Sequence, residues 1–228
     1  MSDDRSGDID QAHRLIISAI RPVLEQYGFG LAGGNALRVH GLSSRPTRDV
    51  NMFTSQDGAI TRVVPKVEAA LRAAGFGVQL AGAHMRKVEF LPDVANYDAR
   101  WIVTVGERRV LLEVALRDTL NPPTVIGDIG PVLGVDDVLA SKTLALVDRA
   151  DARDFADVFE AMRRGWSPER LIALAWRLNP ADYDAEHFTE VRRNLAELDD
   201  FEFTKYGLSL QQVKELRELF RQWPAREE

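Results

Sequence analysis

The chain has 228 residues, enough for one large domain or two small ones, with 45% hydrophobic residues and a formal net charge of −6. Zero cysteines exclude disulfides and thiolate metal sites, and no apolar run approaches the ~18 residues of a membrane-spanning helix, so no membrane partner is expected. The acidic balance speaks against a protein that grips nucleic acid through a broadly basic surface.

Any RNA contact would therefore use a local patch. Arg163-Arg164 and Arg192-Arg193 are the candidates, and the plainer reading of both pairs is solvated helix surface. The first residues, M-S-D-D-R-S-G-D, are polar and acidic and lack the apolar core of a signal peptide, so a cytoplasmic protein is expected.

Asp8 to Tyr27 carries Ile9, Ala12, Leu15, Ile16, Ala19, Ile20, Val23 and Leu24 at three- and four-residue spacings, which predicts an amphipathic helix with Asp8 as N-cap and Gly28 as stop. Phe29 to Ala32 reads as a short strand, Gly33-Gly34 as a tight turn, and Asn35 as the opening of a helix. A second strand follows, carrying Asp49 and Asn51. Thr61 to Ala74 predicts another amphipathic helix, with Val64, Val67, Leu71 and Ala74 inward and Gly75 ending it. Strands are expected at Val78–Leu80, Val88–Phe90, Trp101–Val105 and Val110–Leu116, the last two joined by a hairpin turn at Gly106-Glu107. Asn121-Pro122-Pro123 breaks the pattern, and Val125 to Val132 is a short extended segment around Gly127 and Gly130.

Everything after Gly134 has helical spacing: Asp136–Val147, Ala152–Arg163, Pro168–Leu178, Ala185–Leu198 and Leu210–Trp223, with Ser167 and Ser209 as N-caps. The fold class is α+β. A small mixed-sheet head over residues 1–134 precedes an all-helical region over 135–228.

The layout from Leu31 to Phe53 is that of a nucleotide-handling site. Glycines let a backbone approach phosphate closely, and a helix N-terminus offers N–H groups to it. Residues two apart on a strand share a face, so Asp49 and Asn51 can reach one cation. A lone Gly-Gly is no more than a turn; the joint occurrence of strand, Gly-Gly, helix, R-P-T-R-D and strand gives the segment its meaning. A third acidic group is expected from a neighbouring strand. In Leu111-Leu112-Glu113-Val114-Ala115-Leu116 a single carboxylate interrupts an apolar run, and such a group is costly unless paired or metal-bound. Asp118 is the substitute. The four histidines, His13, His40, His84 and His187, show no ligand spacing.

This stretch resembles the front end of the DNA polymerase β-like nucleotidyltransferases, and more closely the AbiEii-type bacterial nucleotidyltransferases, which include toxins of toxin–antitoxin pairs. That family carries R-x-T/S-x-D-x-D after the helix; here the residues are Arg45, Thr47, Asp49 and Asn51, and the departure is Asn51, where the pattern has a second carboxylate. A second segment, Asp136 to Val158, resembles the family's helical Lys followed by Arg and R-D-x-x-D: Lys142, Arg149, Arg153, Asp154 and Asp157.

The resemblance implies transfer of a nucleotidyl group from an NTP with Mg2+ or Mn2+ and release of pyrophosphate. Gly33, Gly34, Asn35, Arg45, Thr47 and Lys142 would bind the nucleotide. Asp49, Asn51 and Glu113 would hold the metal, Asp49, Glu113, Lys142 and Asp157 would form the catalytic set, and Glu113 is the candidate base for the acceptor hydroxyl. Arg153 and Asp154 fit a structural network. By the same resemblance the acceptor is tRNA or a protein hydroxyl and the partner a cognate antitoxin. Two alternatives stay open: a small-molecule acceptor of the antibiotic type, and a non-catalytic nucleotide-binding protein degenerate at Asn51.

Overall fold

The structure is a computed structural model that describes residues 9–86, 95–180 and 185–224. The chain divides into two units, Met1–Val39 with Thr47–Gly134, and His40–Pro46 with Val135–Glu228. The strand expected at Val88–Phe90 and the N-cap expected at Asp8 lie outside the described residues.

The described strands of the first unit are β1 (Gly30–Ala32), β2 (Asp49–Thr54), β3 (Gly77–Arg86), β4 (Ala95–Val105), β5 (Arg108–Leu116), β6 (Thr124–Ile126) and β7 (Gly130–Val132). They form a 7-stranded mixed sheet in the order β3-β4-β5-β2-β1-β7-β6. β2 runs parallel to β5 and antiparallel to β1, and β4 and β5 form the expected hairpin around Gly106. The segment expected as one extended piece over Val125–Val132 is a second, smaller hairpin, β6–β7.

The described helices of this unit are α1 (Gln11–Leu24), α2 (Gly33–Val39) and α3 (Ala59–Ala73). Asp10 caps α1 by accepting the Ala12 N–H, and the helix closes in a 3-10 turn over Glu25–Tyr27 that Gly28 ends with left-handed backbone. Its buried stripe, Ala12, Ile16, Ile17, Ile20 and Leu24, has the predicted spacing. On α3 the inward stripe is Val63, Val67 and Leu71, so Val64 sits half-buried at its edge and Ala74 is exposed beyond the helix end.

The sheet has two different faces. Val50, Met52, Leu112, Val114 and Trp101 are buried, and α1 and α3 pack against these strands. Trp101 is fully buried, with its indole N–H donating to Glu68 on α3 at 3.0 Å. Alternation along β2 and β5 puts Asp49, Asn51, Leu111 and Glu113 on the opposite face.

The described helices of the second unit are α4 (Val135–Arg149), α5 (Ala152–Arg163), α6 (Pro168–Leu178), α7 (Ala185–Thr189), α8 (Val191–Glu197), α9 (Asp200–Thr204) and α10 (Leu210–Leu219). Ser167 caps α6 and Ser209 forms a reciprocal capping box with Gln212. Phe155 packs edge-on against Phe203 and Phe220, and Phe220 stacks on Trp223. The helix expected over Ala185–Leu198 is broken into α7 and α8. The break falls just past Phe188, whose carbonyl accepts the buried Trp223 indole N–H at 2.8 Å. Periodicity cannot register so short an interruption. It also passed over α9, which is only five residues long. No described helix is long and apolar enough to cross a membrane.

Candidate functional site

Register assembles one transverse row across the sheet. Asn51 on β2 stands opposite Glu113 on β5 and Ala32 on β1, and Glu113 stands opposite Arg100 on β4. Arg100 donates from Nε at 3.2 Å and from Nη2 at 2.9 Å to Glu113 Oε1. The hydrogen bonding to Glu113 is the leading influence holding the Arg100 guanidinium above its ordinary pKa. Arg117 adds a longer contact at 3.8 Å to the same oxygen, and Asp98 lies 3.8 Å from Arg100. Glu113 is therefore partly exposed and paired, as a carboxylate that interrupts an apolar strand requires. Asp118 follows β5 and is exposed.

The glycine pair fits closely against this row. Gly33 has φ +62, and a Cβ there would lie 2.6 Å from Asn51 Nδ2. A Cβ on Gly34 would lie 2.7 Å from Thr47 Oγ1. Any side chain would thus fill the space next to Thr47 and Asn51, and at Gly33 the left-handed backbone disfavours one as well. The helix opens at Gly33 itself, two residues earlier than the sequence suggests. Asn35 is fully buried. Its amide donates to the Asp49 carbonyl at 2.9 Å and lies 3.3 Å from His13 Nδ1, so it braces the strand from beneath.

What distinguishes this cradle is what its polar side chains do not do. Among the described residues, the Thr47 hydroxyl, the Asp49 carboxylate and the Asn51 amide make no hydrogen bond or ion pair. All three are only partly exposed. Partly buried polar groups without partners are waiting for a ligand or water.

The remaining predicted residues gather within the second unit. Asp157 is fully buried. Its carboxylate accepts a two-pronged pair of hydrogen bonds from Arg45, both at 2.7 Å, and lies 2.8 Å from the Lys142 ammonium. Burial pushes the Asp157 pKa up, yet Lys142 and Arg45 outweigh it and hold the group below the ordinary carboxylate value. Burial likewise opposes the charge on Arg45, and Asp157 restores it and raises the pKa. One turn away, buried Asp154 accepts two hydrogen bonds from Arg149, with Arg153 at 3.8 Å. Three of the four arginines in the basic pairs are paired where they stand: Arg163 with Glu160 and Glu215, Arg164 with Glu160, and Arg193 with Glu190. That is the behaviour of solvated helix surface.

The sequence matches the family described as nucleotidyl transferase AbiEii toxin, type IV toxin–antitoxin system, over residues 16–226. The chain belongs to the AbiEii nucleotidyltransferase family. Solved structures agree at the level of fold. The nucleotidyltransferase toxin MenT4 from Mycobacterium tuberculosis superposes with a TM-score of 0.60 at 16% identity, covering 94% of this chain and 83% of that one. JHP933 from Helicobacter pylori gives 0.55 at 16% identity, with 93% and 92% covered. A further H. pylori structure gives 0.56 at 17%, with 93% and 95% covered. No curated protein matches the sequence.

Nucleotidyltransferases of this kind use an NTP and a divalent metal ion. Among the described residues no three His, Asp or Glu side chains converge as a metal cage. The AbiEii-family chain offers instead two carboxylates and an amide, Asp49, Glu113 and Asn51. This oxygen set suits a hard cation that takes its other ligands from water and phosphate. The unpartnered Asp49 carboxylate is the observation that fits such an ion. Sequence reasoning missed Arg100. Its signal was positional: an arginine in a strand whose hairpin register sets it opposite the one buried-strand glutamate. A concavity of about 610 Å³ lies between α1 and the β6–β7 turn and includes none of these residues.

Proposed function

We propose that this chain transfers a nucleotidyl group from an NTP to an acceptor hydroxyl and releases pyrophosphate, and that a cognate antitoxin counters it. The single observation that carries the reading is the unpartnered trio Thr47, Asp49 and Asn51 around a glycine pair that leaves no room for a Cβ. In this reading the Gly33-Gly34 backbone and the Thr47 hydroxyl bind phosphate oxygens. Asp49, Asn51 and Glu113 would hold a Mg2+ or Mn2+ ion. Such an ion would supply positive charge against the triphosphate. Glu113 Oε2, the oxygen that Arg100 leaves open, accepts the proton of the acceptor hydroxyl. Asn35 holds the Asp49 strand in place from below. By family resemblance Lys142 supplies a cation for the triphosphate, and Asp157 and Arg45 fix where its ammonium points.

tRNA is the acceptor to test first, although neither the net charge nor the paired arginines favour a broad RNA surface. The experiment follows label from each α-labelled NTP with Mg2+ or Mn2+, in the presence of total tRNA, protein extract or small hydroxylated compounds, for the native chain and Asp49→Ala. Label on one acceptor with the native chain alone supports transfer and identifies its class. Asp49-dependent NTP binding with no transfer to any acceptor, and activity appearing in Asn51→Asp, would assign the chain to nucleotide binding without catalysis.

A further inference from the structure

We infer that Arg100 is an internal counter-cation that keeps the nucleotide-free site from holding a divalent ion, so that the metal arrives with the nucleotide. The inference rests on the reading of Asp49, Asn51 and Glu113 as the metal-binding group and assigns a role to a residue that reading leaves aside.

The argument is one of charge along the row. In the family pattern two carboxylates stand on the strand that here carries Asp49 and Asn51. With a third acid from the neighbouring strand, such a site would hold three negative charges before any ligand arrived. In this chain Asn51 is neutral. Glu113 is paired with Arg100 through two hydrogen bonds to Oε1, with Arg117 at 3.8 Å. The row Arg100–Glu113–Asn51 therefore sums to zero, and Asp49 is left as the one carboxylate of the trio without a compensating charge. Mg2+ gives up its water reluctantly and is bound through one or two carboxylates together with substrate phosphates. One uncompensated carboxylate is a poor site alone, and an adequate one when the triphosphate supplies the remaining charge.

The guanidinium also stands in a defined place. It comes from β4, on the side of Glu113 opposite Asn51, and it takes one carboxylate oxygen only. Glu113 is thereby held in register, and its second oxygen makes no hydrogen bond among the described residues. Arg100 is a positioning residue in this account; it acts through Glu113 and touches no substrate.

The test is Mn2+ binding followed by electron paramagnetic resonance, with and without a non-hydrolysable NTP analogue, on the full chain. The native protein is expected to bind Mn2+ weakly alone and much more tightly with the analogue. Arg100→Gln, which keeps a polar side chain of moderate length, should tighten nucleotide-free Mn2+ binding by about tenfold, the order expected when a nearby like charge is removed from a half-buried site. Arg100→Lys should stay near native. Adding Glu113→Gln to Arg100→Gln should abolish the gain. Tight nucleotide-free binding by the native chain would overturn the inference without any variant, and so would an Arg100→Gln protein, folded by circular dichroism, whose Mn2+ affinity is unchanged or lower. If Asp49→Ala leaves analogue-dependent Mn2+ binding intact, the site reading itself fails. If Asp49→Ala removes that binding while Arg100→Gln changes nothing, the role of Arg100 alone falls.

Discussion

The two units treat an aspartate in opposite ways. In the first, Asp49 stands partly exposed on a sheet face with no side-chain partner among the described residues. In the second, Asp157 is out of contact with water and saturated by an arginine and a lysine. Both aspartates lie in segments that resemble the family's signatures, so their shared sequence status hides different physics. A carboxylate left open has affinity to give to a ligand. A saturated one has already used its lone pairs and serves to hold its cations in place.

The sharpest break of this contrast is Asp157→Ala. It leaves the half-buried Arg45 and Lys142 near one another without the counter-charge between them, and unfolding in urea should show a loss of about 3–5 kcal/mol. Asp49→Ala should do the reverse. Pyrophosphate release is expected to fall about a hundredfold or more, the scale of losing a principal charge contact in the transition state. Unfolding should stay within about 0.5 kcal/mol of native, as for other substitutions that remove no packing or partner. A strongly destabilised Asp49→Ala would mean that the carboxylate has a structural partner after all.

Gly33→Ala comes next. The new Cβ meets the Asn51 amide in a backbone region that L-residues avoid, and roughly 1–2 kcal/mol of stability should be lost together with nucleotide affinity. The smallest effect is on pH dependence. Because the folded-state pKa of Asp157 lies below its ordinary value, the unfolded chain binds its proton first as pH falls. The stability it contributes is complete above about pH 4 to 5 and drains away as pH drops through the lowered value. Thermal melts between pH 6 and 3 should therefore fall more steeply for the native chain than for Asp157→Asn.

Much of this was legible in the sequence for identifiable reasons. Helix stripes on α1, α5 and α6 were readable because burial alternates with a fixed period, and the β4–β5 hairpin because Gly106 punctuates two apolar runs. Glu113 stood out because a charge in an apolar strand demands a partner. The partner did not, since Arg100 becomes a neighbour only through antiparallel register. The Arg45–Asp157–Lys142 cluster was equally hidden. Its members came from three separate segments, and each was assigned to the nucleotide or to catalysis with no sign that they bond to one another. The place of Asn35 after the glycines gives no sign that its buried amide donates to the Asp49 carbonyl.

The parallel pairing of β2 with β5 has a consequence in time. Asn51 and Glu113 lie far apart along the chain, and α3, β3 and β4 are made between them. Bringing such strands together closes a long loop, an entropic step that local helices and hairpins do not face. On a ribosome the early segment with its glycines and Asp49 would emerge well before the strand that completes the row. A growing chain would therefore lack the assembled row until synthesis had passed β5.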